Sequence, residues 1–206
     1  MKKHNDRNFV IAIVIISWLY AFIRYNILKG IAFAHLPLYV TNKSMAISAI
    51  IILSTAAITF GEEGEKSRNY LNTIGFLLVI LHVIMSVVVL NKSYFDTMFY
   101  KGRLTALSEL ALLVGILAFI SFFILFLNRI ASDKFRTTLG LIFNNNFISI
   151  LGLIFLLFHT FFIGFKSWLN PEKWPGYLPP ITLIGFVIGV IPLVTKFAKR
   201  EKTKRR

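Results

Sequence analysis

The chain has 206 residues, of which 56% are hydrophobic and only 16% charged, with a mean hydropathy of +0.71. A soluble domain carries roughly 25% charged residues, so the composition excludes a water-soluble enzyme and reads as an all-α integral membrane protein. Cysteine is absent, which excludes disulfides, iron–sulfur clusters and thiolate metal sites.

Taken in chain order, a basic start, MKKHNDR, precedes a first apolar segment from Phe9 to Ile27. No small-residue cleavage motif follows it, so it reads as a retained helix rather than a signal peptide. LPLYVTNKSMAIS leads into the second span, Ala46 to Phe60, the shortest of the set. SRNYLN opens the third, Tyr70 to Leu90, and the fourth runs from Leu104 to Leu127. The fifth, Asn146 to Phe165, continues into FKSWLNPEKWPGYLPP, and the sixth, Ile181 to Phe197, ends in a basic tail. A span needs about 20 residues at a rise of 1.5 Å per residue. The connections are short, so residues 1–206 read as a single six-helix domain. They contain no G-x-G-x-x-G, and no NADPH-binding domain is expected.

An even number of spans puts both termini on one side. That side receives Lys2, Lys3, Arg7, Lys66, Arg68, Arg129, Lys134, Arg136 and seven cations of the tail, fifteen of the 23 in the chain. Cytoplasmic ends carry the excess of Lys and Arg, so both termini are expected in the cytoplasm and the protein in a plasma or inner membrane. The net charge of +14 is then a topology signal. Because the basic residues hug the membrane edges, no nucleic-acid partner is expected; the tail suits anionic membrane lipid.

Two of the four histidines fall inside spans, where an ionisable side chain is costly and marks function. His82 lies 12 residues past Tyr70 and His159 lies 13 past Asn146. Both helices run outward, so both side chains rise about 18–20 Å from the inner edge at 1.5 Å per residue. Two neutral imidazoles at one depth are the set needed to ligate one haem iron from its two faces. The competing reading is a pair of histidines satisfied by interhelical hydrogen bonds. Zinc or copper would want further ligands at that level. Small residues near the pair, Gly75, Ser86 and Gly164, are candidates for letting a macrocycle approach the backbone. Glu109 is the only acid within a span and lies near the outer end of the fourth.

Several runs resemble a known family. In the fifth helix and its loop these are His159, Gly164, Lys166, Trp168, Tyr177 and Pro179, and in the third Arg68, Leu71, His82, Val83 and Ser86. Pro37, Asn42 and Lys43 precede the second span and Arg24 ends the first. Over nearly its whole length the chain resembles the six-helix membrane domain of the STEAP metalloreductases, within the ferric reductase-like transmembrane group. The resemblance implies a six-helix bundle with one haem b between helices 3 and 5, on His82 and His159, and a homotrimer. It also implies an FAD across the inner leaflet and electron flow outward to a ferric or cupric ion.

The flavin-facing positions are altered: Asn69, Tyr70 and Asn72 stand where the family has Lys, Gln and Gly. Arg68, Arg136, Phe143 and Asn145 are the candidates for an FAD's phosphates and ring. On the outer face Lys166, Lys173 and Tyr177, with Trp168 and Trp174, offer basic and aromatic groups to an anionic chelate. An interfacial aromatic belt with snorkelling lysines explains the same residues without a substrate. Pro175 replaces a family Arg there.

The expectation is therefore haem b electron transfer across the membrane. The donor is a cytoplasmic reduced flavin or a separate flavin or NAD(P)H reductase, and the acceptor an outer ferric or cupric chelate. The alternative is a haem-binding subunit or relay of a larger complex without reductase activity of its own. A cofactor-free transporter would need a polar midplane cavity and broken helices, and the spans offer few polar residues for one.

Overall fold

The computed structural model describes residues 2–59, 64–130 and 145–204. Six long helices account for most of them: α1 (Lys2–Phe22), α2 (Thr41–Ile58), α3 (Glu65–Val89), α4 (Ala106–Ile130), α5 (Asn145–Trp168) and α6 (Ile181–Lys204). Each contributes a stretch long and apolar enough to cross a membrane, as a multi-pass membrane protein requires. Within hydrocarbon every backbone N–H and C=O must be satisfied inside the segment, and the helix does this locally.

The side chains are distributed as lipid solvation demands. Ile15, Ile16, Ile84, Val87, Leu113, Ile116 and Val194 point outward, while Ser17, Asn42, Ser44, Ser48 and Ser121 are buried. Lipid tails are as apolar as Leu, so apolar burial gives no drive to helix association; close packing and interhelical hydrogen bonds do. At one end of the bundle Ser67 Oγ donates to Asp6 (2.8 Å) and Asn128 Nδ2 to Asn145 Oδ1 (2.8 Å). At the other, Tyr20 donates to the Pro179 carbonyl (2.5 Å) and Arg24 to the Leu178 carbonyl. The first end carries the start of α1, and α6 runs back toward it, so both terminal helices finish on one face.

Helix α2 packs on α1, α3 and α6, and α5 packs on α4 and α6. The α3–α4 contact is slight by comparison, and α3 and α5 make no extended contact among the described residues. Phe76 joins α3 to α4, stacking on Phe119, Phe123 and Phe126 with ring centroids 5.9, 6.1 and 4.7 Å away. The two histidine-bearing helices thus belong to two packed groups that meet through α2–α6 and through this phenylalanine stack.

Several span ends differ from the hydropathy reading. Helix α2 starts at Thr41, five residues before the expected Ala46, because Asn42 and Ser44 are buried inside the bundle rather than lying in a loop. Helix α3 starts at Glu65 and α4 extends to Ile130, through polar first and last turns that an apolar window rejects. Leu104 belongs instead to a two-stranded hairpin, β1 (Phe99–Tyr100) and β2 (Arg103–Leu104), whose turn holds Lys101 and Gly102 at φ 49° and 79°. After α1 the chain widens into a π turn over Ile23–Leu28, which carries Arg24, Tyr25 and Asn26 in the buried part of the bundle.

Candidate functional site

His82 sits seven residues before the end of α3 and His159 nine before the end of α5. At 1.5 Å per residue these are depths of about 10 and 13 Å from the helix ends, on the face opposite the termini. Counted from the helix starts the two stand 17 residues past Glu65 and 14 past Asn145, unlike the 12 and 13 counted from the expected apolar boundaries. Both rings are half-buried.

Each imidazole is fixed by the helix that precedes its own in the chain. His82 Nδ1 lies 2.6 Å from Asn42 Oδ1 and 3.3 Å from the Asn42 carbonyl, both on α2. Asn42 is held in turn by Ser86, one turn beyond His82: Asn42 Nδ2 donates to Ser86 Oγ at 3.1 Å, and Ser86 Oγ reaches Asn42 Oδ1 at 3.3 Å. His159 Nδ1 lies 2.8 Å from the Ala111 carbonyl on α4. Carbonyl and amide oxygens only accept, so in both rings Nδ1 carries the proton and donates. Nε2 is then the nitrogen with the free lone pair. Among the described residues neither Nε2 has a hydrogen-bond partner.

A close approach of α4 to α5 is what lets His159 reach Ala111. A Cβ on Gly115 would stand 2.6 Å from His159 Nδ1, so the ring lies flush against that glycine. Gly75 and Gly164 do other work than clearing space for a ring. Gly75 admits Leu53 of α2, and Gly164 lies under Thr182 and Trp168. Ser86 does belong to the site, through Asn42.

The donor set fits an iron porphyrin. Two imidazoles present open Nε2 lone pairs with their Nδ1–H groups donated to fixed acceptors, the outer-sphere arrangement that orients a metal-bound histidine and raises its basicity. Among the described residues no group of three or more His, Cys, Asp or Glu is placed to hold a metal ion.

The remaining candidates scatter over both ends of the bundle. Arg68 lies in the first turn of α3, and Asn145 begins α5 with its Oδ1 accepting from Asn128 near the end of α4. Arg136 and Phe143 lie outside the described residues. At the opposite face Lys166, Lys173 and Tyr177 are exposed, Tyr177 at 80%. Trp168 donates to Thr182 (3.0 Å) and packs on Phe161 and Phe186, and Trp174 donates to the Ser167 carbonyl (2.7 Å). Both indoles thus brace the loop before α6. Glu109 is exposed in the first turn of α4.

Sequence reasoning did not assign Asn42, Gly115 or the Ala111 carbonyl to the site. Part of the arrangement had a readable signal, since His82 and Ser86 share one helix face at a spacing of four. A backbone carbonyl leaves no mark in sequence. No protein-family model matches this chain, and no curated protein matches it.

Proposed function

We propose that this chain is a haem b membrane protein that carries single electrons between the two faces of a plasma or inner membrane. His82 and His159 hold the haem through Nε2. The observation that carries this reading is the pair of half-buried imidazoles, each with Nδ1–H donated to a fixed oxygen and Nε2 open. Bound there, the haem supplies a one-electron carrier inside a low-dielectric layer that electrons do not otherwise cross.

The chain's own residues do the rest. Asn42 and the Ala111 carbonyl lock both rings in one tautomer, and Gly115 lets α4 come close enough to do so. The phenylalanines around Phe76 and Phe158 keep water out, which tunes the potential of any carrier held there. The excess of basic residues puts the termini, Arg68 and Asn145 in the cytoplasm, where reduced FAD or a separate flavin or NAD(P)H reductase donates. Lys166, Lys173 and Tyr177 then face the outer solution and an anionic ferric or cupric chelate. In this reading the chain resembles the STEAP metalloreductase membrane domain, and a homotrimer follows from the same resemblance.

One observation favours the second reading, a haem subunit that relays electrons without accepting a flavin itself. Asn145 Oδ1, one of the proposed flavin contacts, is already engaged by Asn128. Proteoliposomes with a ferric chelate trapped on one side and dithionite-reduced FAD on the other test both. Flavin-dependent ferrous production that disappears in His82→Ala and His159→Ala is expected for the reductase. Production only after a partner reductase is added assigns the relay, and no production with haem bound and a partner present contradicts both.

A further inference from the structure

Lys43 follows Asn42 on α2, in the half of the bundle opposite the termini. Its Nζ stands 4.7 Å from the Phe95 ring centre and 5.3 Å from that of Tyr39. The side chain is half-buried, and the residue before it, Asn42, meets the His82 ring at 2.6 Å. Lys43 thus follows directly on a partner of the site. Among the described residues no carboxylate is in ion-pair contact with it, and the charge that acts on it is another cation, Lys29.

Two aromatic faces stabilise an ammonium, but they do not neutralise it. A cation at the edge of the membrane interior ordinarily pairs with an anion or with carbonyls. Here the electrostatic complement is missing, and it is missing beside a site argued to hold a ligand that carries two carboxylates.

We propose that Lys43 is a carboxylate-binding residue of this site and takes a propionate of the haem, with Tyr39 and Phe95 holding its ammonium in place. This rests on the haem reading above. The carboxylate of an incoming ferric chelate has the same chemistry, so the test separates the two sources. Lys43 acts on the haem in two ways. It adds an anchor beyond the axial imidazoles, and its positive charge favours the reduced state, in which the site holds one more electron.

The test uses purified full chain loaded with haem b or with haem dimethyl ester, whose propionates cannot ionise. For Lys43→Met a roughly tenfold loss of haem b affinity is expected. A fall in midpoint potential is also expected, about 59 mV for a tenfold shift in a one-electron equilibrium. Lys43→Arg restores both. The wild-type protein binds the ester about as weakly as Lys43→Met binds haem b, and in Lys43→Met the ester causes no further loss. The ester arm needs no substitution, so a variant that folds poorly does not remove the test.

Unchanged affinity and potential in Lys43→Met, with haem bound, overturn the proposal and leave the axial histidines standing. If the apparent KM for ferric citrate rises in that same variant, the carboxylate belongs to the chelate and the propionate assignment is wrong. A wild-type chain that takes up neither haem b nor its ester contradicts the underlying reading instead.

Discussion

His82 Nδ1 faces two oxygens of Asn42, the side-chain Oδ1 at 2.6 Å and the main-chain carbonyl at 3.3 Å. A ring nitrogen met by two acceptors must be the protonated one, so Asn42 decides which nitrogen of His82 remains available. Asn42 is itself 98% buried, with 2% exposure, and is steadied by Ser86. The finding makes the α2 amide as much a part of the site as the histidine.

Asn42→Ala is expected to lower haem affinity about 10- to 100-fold, the usual cost of removing an outer-sphere partner of a metal ligand. Asn42→Asp retains the acceptor and is expected to keep the bis-imidazole spectrum with a lowered potential, because a carboxylate adds negative charge. Haem titration and a redox titration of the purified variants check both outcomes.

Gly115→Ala and Gly164→Ala separate the site from the scaffold. At Gly115 the new methyl would meet the His159 ring at 2.6 Å from Nδ1 and 2.8 Å from Cε1. The ring must move and the bond to Ala111 is lost. Weakened haem binding with a folded chain is expected. At Gly164 the methyl meets Thr182 and Trp168 instead, so that variant is expected to lose about 1–3 kcal/mol of stability while its spectrum stays unchanged. Thermal melts read beside absorbance distinguish the two patterns.

Phe76 is 2% exposed and touches three rings of α4. Phe76→Ala removes the stack that joins α3 to α4, and a loss of about 3 kcal/mol or more is expected from the cavity. Phe76→Leu fills most of the space and is expected to lose less. Detergent-denaturation midpoints measured on both variants give the comparison.

Lys166 and Lys173 are exposed on the face opposite the termini. Changing both to Gln is expected to raise the apparent KM for an anionic ferric chelate severalfold at low salt. The difference should shrink as ionic strength rises and the Debye length falls to about 8 Å at 0.15 M. A neutral acceptor should not distinguish the variant from wild type.

Much of the architecture was legible because hydrocarbon leaves few choices. Apolar runs of about 20 residues fold as helices, and all six spans stand within a few residues of where hydropathy put their centres. The ends were less legible. Asn42 and Ser44 read as loop residues because a hydropathy window cannot tell a polar side chain exposed to water from one buried inside the bundle. That His82 and His159 lie inside long helices was readable from the apolar runs around them. What each histidine leans on was half readable. Asn42 at least carries a side-chain amide that can meet a ring nitrogen, whereas the Ala111 carbonyl is main chain and every residue has one. Gly75, Gly115 and Gly164 look alike as letters. Only the neighbours across the helix interface, Leu53, His159 and Thr182, tell them apart.

The central claim is that His82 and His159 bind one haem through Nε2 from its two sides. An absorbance spectrum of the purified chain, expressed with ample haem and recorded oxidised and dithionite-reduced, tests it most directly. A low-spin bis-histidine b-type spectrum is expected, at one haem per chain, and it should be lost in His82→Ala and in His159→Ala while both variants remain folded. A folded wild-type chain that stays colourless, or a full spectrum surviving in either alanine variant, would contradict it.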